Sequence, residues 1–136
     1  LAPEAARRGV SIVVEPAPPV LVRATADAVA VIIGNLLDNA VKFSPPGGRV
    51  AVHLDARGGR GRVAVADQGP GIAPGDRARV FERFYRGDPS RAPGSPGVGL
   101  GLAIAQALAR AHGGRIEVGD TPGGGATFTL DLPLAA

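Results

Sequence analysis

The residues of this chain with chemistry to offer fall in short blocks. The first reads Asn35-Leu-Leu-Asp-Asn-Ala-Val-Lys-Phe43 and holds Lys42, the sole lysine in a chain whose other cationic side chains are arginines. On a helix, at about 100° per residue, Asn35, Asn39 and Lys42 fall within one narrow sector. The opposite face carries Val29, Ile33, Leu36, Leu37, Ala40 and Phe43, enough to dock the helix on a core. Two amides and an ammonium in line suit a phosphate and metal surface; the plain alternative is a solvated polar stripe.

The second block, Asp67-Gln-Gly-Pro-Gly-Ile72, ends a predicted strand. An Asp beside a glycine turn is often a turn former. An ionised Asp is also acceptor-only and can take a hydrogen bond from an adenine amino group. Guanine presents a carbonyl oxygen at the same edge, so Asp67 would act as a base selector. The third block, Gly97-Val-Gly-Leu-Gly101, precedes a predicted helix, where glycines let backbone approach an anion and the helix start supplies free N–H groups. It is not the dinucleotide fingerprint, because Leu102 stands where that motif needs glycine. The Walker A motif is absent too, since Lys42 lies between Val41 and Phe43. A bound nucleotide would use neither common cradle.

The elements that must position these blocks can be read from periodicity and breakers. Val10 to Glu15 alternates as a strand, Pro16, Pro18 and Pro19 break it, and Val20 to Arg23 suggests a short second one. Thr25 suits the N-cap of a helix reaching Phe43, which Ser44-Pro-Pro-Gly-Gly48 ends sharply. Val50 to Ala56 and Arg62 to Asp67 read as a hairpin joined by Gly58-Gly-Arg-Gly61. A Gly/Pro loop at residues 69–75 leads to a short helical patch and the aromatics Phe81, Phe84 and Tyr85. Residues 87–96 lack periodicity and read as a mobile loop. A second helix is expected from about Val98 to Ala111, stopping at His112-Gly113-Gly114. Arg115 to Val118 and Ala126 to Leu132 read as strands around a turn at residues 121–125. Helices and strands mix without strict alternation, which favours an α/β two-layer sandwich with helices on one face.

Composition bounds the function classes. A chain of 136 residues fits one domain with a real core. It has no cysteine, which excludes disulfides and thiolate metal sites and suits a reducing compartment. The net charge is +3, with arginines scattered and no stacking pattern among one Tyr and four Phe, so nucleic acid is not an expected partner. No apolar run approaches the ~18 residues of a membrane span. The chain begins with Leu and lacks Met, so a fragment of a longer protein is expected.

Taken in order, these blocks resemble the catalytic and ATP-binding domain of bacterial sensor histidine kinases, a branch of the GHKL superfamily with the Bergerat fold. NLLDNAVKF resembles the N-box, DQGPGI the first glycine box, FERFYR the F-box and GVGLGL the second glycine box; GGGATF resembles a third glycine-rich block. The likeness runs from about Val10 to Pro133. It implies a mixed sheet of about five strands packed by about three helices, with residues 87–96 as an ATP lid. It implies that Asn39 ligates Mg2+, that Lys42 contacts the phosphates, and that Arg86 reaches the γ-phosphate. Asp67 would bind adenine, Gly69 and Gly71 would shape its pocket, and Thr127 would lie near the base. Gly97, Gly99 and Gly101 match the phosphate-proximal loop. Asn35, Ile72, Tyr85, Val98, Leu100 and Leu102 complete the ATP-binding set by their places in the same boxes. Phe81 and Phe84 are better read as core anchors than as nucleotide contacts.

One position separates the branches. The superfamily's ATPases and its serine kinases carry Glu four residues before the metal-binding asparagine, as general base. Here that position is Asn35, which points to a histidine-directed kinase and away from a hydrolase. Neither His53, in a predicted strand, nor His112, at a helix C-terminus, has the context of a phospho-acceptor. The resemblance therefore implies a separate dimerisation domain bearing that histidine, a response regulator as receiver, and a cytoplasmic place in a membrane-anchored, homodimeric sensor. This piece alone is expected to be monomeric, with no direct membrane contact. The rival readings are a GHKL serine kinase or ATPase, and a nucleotide-binding signalling module without transfer.

Overall fold

Alternating small and β-branched residues build one mixed sheet from β1 (Ser11–Val14), β2 (Arg49–Arg57), β3 (Arg60–Ala66), β4 (Arg115–Asp120) and β5 (Ala126–Pro133). The computed structural model describes residues 2–77, 79–82 and 101–135. The strand order is β1-β2-β3-β5-β4. β1 runs parallel to β2, and the remaining neighbours are antiparallel. Along β5, Ala126, Phe128, Leu130 and Leu132 turn to the core while the residues between them stay half-buried, the period of two that a one-sided sheet requires. Register places Val65 opposite Phe128 and Val63 opposite Leu130.

Parallel neighbours need a long crossover, and between β1 and β2 this is α2 (Ala26–Phe43). The Thr25 side chain accepts a hydrogen bond from the Ala28 N–H at 3.1 Å, capping the helix as the sequence predicts. Asp27 in the first turn and Lys42 in the last complement the helix dipole. Ile32, Leu36, Ala40 and Val41 are fully buried, so α2 is pinned along its length. Burying those four aliphatic side chains stabilises the fold by several kcal/mol, at ~25 cal/mol per Å2.

The second long helix, α3 (Gly101–Ala111), lies beside α2 and buries Ala105 and Ala109. It ends on Gly113, whose φ of +80° and the 2.8 Å bond from Gly114 N–H to the Ala109 carbonyl close the last turn. Gln106 bonds both the N–H and the carbonyl of Ile116 at 2.9 Å, so α3 supplies edge strand β4 with the partner it lacks. His112 Nδ1 lies 2.9 Å from the Leu108 carbonyl, and His53 Nδ1 lies 2.7 Å from Glu15. Each histidine thus has a polar contact within the fold.

Three expectations are corrected. Val20–Arg23 is not a strand: it makes one isolated bridge, Val22 to Leu134, with Arg23 N–H on the Pro133 carbonyl and Ala135 N–H on the Leu21 carbonyl, and Pro133 has no N–H to extend the ladder. The hairpin turn is tighter than four residues, with Gly58 and Gly59 both at positive φ between Arg57 and Arg60. A further helix, α1 (Ala2–Arg8), precedes β1. Seven residues are too short to be a stable helix by themselves. Tertiary contacts hold it, with Ala5 buried and Arg8 Nη1 donating to the Lys42 carbonyl at 3.4 Å. The short helical patch after the glycine loop is a 3-10 turn at Pro74–Asp76.

Candidate functional site

At the end of β3 the chain turns through Asp67, which is 0% exposed. Its Oδ1 accepts hydrogen bonds from Gly69 N–H at 2.9 Å and from Ala126 N–H at 3.0 Å. Its Oδ2 is buried and has no partner among the described residues. One oxygen is therefore spent joining two chain segments, while the other is an acceptor shielded from solvent and matched to no donor among the described residues. Folds seldom keep such an atom, because it loses its water without recompense. A donor arriving from outside removes the penalty.

Glycine is demanded around this carboxylate by contact as well as conformation. A Cβ on Gly69 would run into the Phe43 carbonyl, and one on Gly125 would run into the carbonyl of Asp67. Gly125 also has a φ of +115°. Gly71, at φ +77°, backs onto the Gly125 carbonyl, which lies 3.4 Å from where its Cβ would be. Ile72 packs against the core. Thr127 follows Ala126 on β5, and its Oγ1 lies 2.9 Å from Thr121 Oγ1. Asp67, Gly69, Gly71 and Ile72 of one loop and the distant Thr127 of β5 are thus gathered at one end of the sheet.

The polar stripe of α2 forms the neighbouring wall. Contact between Phe43 and the Gly69 turn ties the C-terminal end of α2 to the Asp67 loop. At the other side of the stripe, a Cβ on Gly101 would stand 3.1 Å from Asn35 Oδ1. The start of α3 thereby meets Asn35, and Leu102 packs against the core one residue on. Asn39 has its Nδ2 buried with no partner among the described residues. Lys42 Nζ lies 2.9 Å from Asp38 Oδ2. Sequence reasoning passed over Asp38, although the i, i+4 spacing is itself the signal for such a pair.

Tyr85, Arg86, Gly97, Val98, Gly99 and Leu100 lie outside the described residues, as do Phe84 and the expected lid at 87–96. Phe81 is described: its ring meets that of Phe128 edge-to-face at 6.1 Å, the anchoring role expected of it. Together the described groups form a wall with a buried acceptor at one end and amides with an ammonium along the other. Such a wall suits a ligand with a donor-bearing ring and an anionic tail.

Comparison with known proteins gives this geometry its context. Residues 24–136 match the model of the histidine kinase-, DNA gyrase B-, and HSP90-like ATPase family. The sensor-like histidine kinase SenX3 of Mycobacterium tuberculosis is 50% identical over 101 residues, covering 74% of this chain and 25% of that protein. The signal transduction histidine-protein kinase/phosphatase MprB of Mycolicibacterium smegmatis is 53% identical over 104 residues, covering 73% and 21%. The chain thus spans about a quarter of the length of these curated relatives. Among solved structures, a mycobacterial sensor histidine kinase MprB superposes with a TM-score of 0.85 at 37% identity, covering 98% of this chain and 90% of that one. Full-length ShkA in complex with AMPPNP superposes with a TM-score of 0.79 at 40% identity, covering 98% of this chain and 27% of that one.

Proposed function

The chain belongs to the histidine kinase-, DNA gyrase B-, and HSP90-like ATPase family, in its sensor histidine kinase branch, and we propose that it binds Mg2+–ATP and passes the γ-phosphate to a histidine on a separate dimerisation domain. A response regulator would then receive the phosphoryl group. The observation that carries the nucleotide part is Asp67, whose buried and unpartnered Oδ2 is the acceptor an adenine amino group would satisfy. ShkA, related over 98% of this chain, is a relative whose structure holds an ATP analogue.

Asn39, Lys42 and Asn35 would then face the triphosphate. The residues fit a magnesium ion: an amide oxygen is a hard ligand, and Mg2+ takes few protein ligands beside waters and phosphates. Asn39 would hold it, and its amide Nδ2 makes no bond inside the fold. When bound, the ion neutralises charge developing on the β- and γ-phosphates. Lys42 would exchange its contact with Asp38 for a phosphate oxygen. The glycines at 97, 99 and 101 would bring backbone N–H groups to the same anion, and Arg86 would stabilise the γ-phosphoryl group in transfer. Tyr85, Val98, Leu100 and Leu102 would line the nucleotide beside Ile72 and Thr127. In the transfer, an imidazole nitrogen bonds to the γ-phosphorus while the β–γ bridging bond breaks and ADP leaves. Asn35 suits this chemistry, because an imidazole lone pair needs no carboxylate to activate it.

Calorimetry with ATP and GTP tests the nucleotide reading: ATP should bind and GTP should not, and Asp67→Asn should strongly weaken ATP binding. Equal binding of the two nucleotides would refute it. Labelled ATP mixed with this chain and a matching acceptor domain tests transfer, with label expected on the acceptor histidine. Rapid phosphate release by the chain alone would instead favour a hydrolase. The membrane-anchored, homodimeric setting is part of the same proposal. Among the described residues no helix is long and apolar enough to cross a membrane.

A further inference from the structure

We propose that Arg77 is a positioning residue for the adenine pocket, a strap joining its two walls, on the premise of the nucleotide reading above. One wall is the loop from Asp67 to Ile72, and the other is the turn between β4 and β5. Near the base the walls are tied by Asp67 Oδ1, which holds Gly69 on one and Ala126 on the other. Further out, Arg77 repeats the tie. Its Nε donates to the Ile72 carbonyl at 3.3 Å, and its Nη2 donates to Asp120 Oδ1 at 2.5 Å.

Local structure aims the guanidinium. Arg77 closes the 3-10 turn at Pro74–Asp76, with its N–H bonded to the Pro74 carbonyl at 3.4 Å. Asp120 is the last residue of β4 and pairs with Ala126 across the ladder. The next residue, Thr121, bonds the Gly125 carbonyl at 3.0 Å and so shapes the turn that backs Gly71. A rigid guanidinium edge reaches two acceptors in different directions; a lysine offers one point charge and cannot reproduce the fork.

The side chains are 29% and 76% exposed, so the ion pair itself contributes little to stability. Its effect lies in where it holds Ile72 and the turn, and hence in the shape that meets the base. A merely structural strap would move thermal stability. A positioning strap moves nucleotide affinity while leaving the melting temperature nearly unchanged.

Calorimetry on this chain with ATP and with ADP separates the two. Arg77→Ala should weaken both nucleotides by about fivefold, the scale of one hydrogen bond. The factor is the same for each because the strap acts at the base and not at the phosphates. Asp120→Asn should weaken ATP by about twofold, and the double variant should be no worse than Arg77→Ala, because Asp120 acts through Arg77. Arg77→Lys should fall between. With an acceptor domain present, KM for ATP should rise by the same factor while kcat holds. Unchanged affinity in Arg77→Ala, or losses that multiply in the double variant, overturns the strap. Should Arg77→Ala fail to fold, the exposed Asp120 decides, and unchanged affinity in Asp120→Asn overturns it. ATP binding that Asp67→Asn strongly weakens and Arg77→Ala leaves intact refutes the strap alone. A wild-type chain that binds no ATP refutes the nucleotide reading beneath it.

Discussion

The two ends of the site are built by different means. Around Asp67 the walls are main chain: two backbone N–H groups on one carboxylate oxygen, and glycines whose neighbours leave no room for a Cβ. Along α2 the surface is side chain, with an amide end that bonds nothing and a lysine resting on an aspartate of its own helix. The first end is pre-formed and can be selective, because its shape cannot relax without breaking the fold. The second end can exchange partners, which suits a polyphosphate that arrives with its own cation. A substitution that disturbs the main-chain packing at the base end should therefore threaten folding and binding together, whereas one at the phosphate end should touch binding alone.

The largest effect expected is at Gly125. Gly125→Ala forces a Cβ onto the Asp67 carbonyl at a backbone φ of +115°. It should destabilise the domain by more than about 3 kcal/mol. Thermal unfolding within a degree or two of wild type would break the contrast between the ends. Asp67→Ala should come next, at about 2 to 3 kcal/mol, since it orphans the N–H groups of Gly69 and Ala126. Asp67→Asn sharpens the point: its amide oxygen can still accept from both N–H groups, so folding is kept, but an NH2 group now faces the adenine amino group. ATP affinity should fall about 100-fold with little change in melting temperature, read by calorimetry beside thermal unfolding.

At the other end, Asn39→Ala should shift unfolding by under about 1 kcal/mol, because its Nδ2 makes no bond in the fold. It should nevertheless remove the Mg2+-dependent part of ATP affinity, a loss of about tenfold or more. Titrating nucleotide with and without the metal reads this directly, and a variant that keeps the full metal effect returns Asn39 to an ordinary polar stripe. The smallest effect belongs to Asp38→Ala. Losing an i, i+4 pair should change stability by under about 0.5 kcal/mol. ATP affinity should rise about twofold at constant salt, as the Asp38 carboxylate no longer competes with phosphate for Lys42. Weaker ATP binding in this variant would mean that Asp38 orients Lys42 and does not compete for it.

Much of this was legible from residues alone, and unevenly so. The strands and the two long helices follow from periodicity that tertiary packing reinforces, as with Thr25 capping α2 and Gly113 closing α3. The short segments went astray because their state is set by neighbours. Ala2–Arg8 is helical through its seat on the core, and Val20–Arg23 stops at one bridge because the facing Pro133 has no N–H to extend the ladder. Asp38 was hidden in plain view, since a motif directs the eye to its asparagines and lysine. Arg77 had no motif to mark it, because its two acceptors are a carbonyl five residues back and a carboxylate on another strand.

Sequence by itself determined the inventory: which amides, glycines and carboxylate are present, and at what spacing. These are properties of side-chain type and helical or strand period, which survive without coordinates. Tertiary structure alone decided how each group is spent. It gave one oxygen of Asp67 to the backbone and left the other bare, seated Lys42 on Asp38, and ran Arg77 between two walls. Those outcomes depend on burial and on contacts between segments distant in the chain, and no local pattern encodes them.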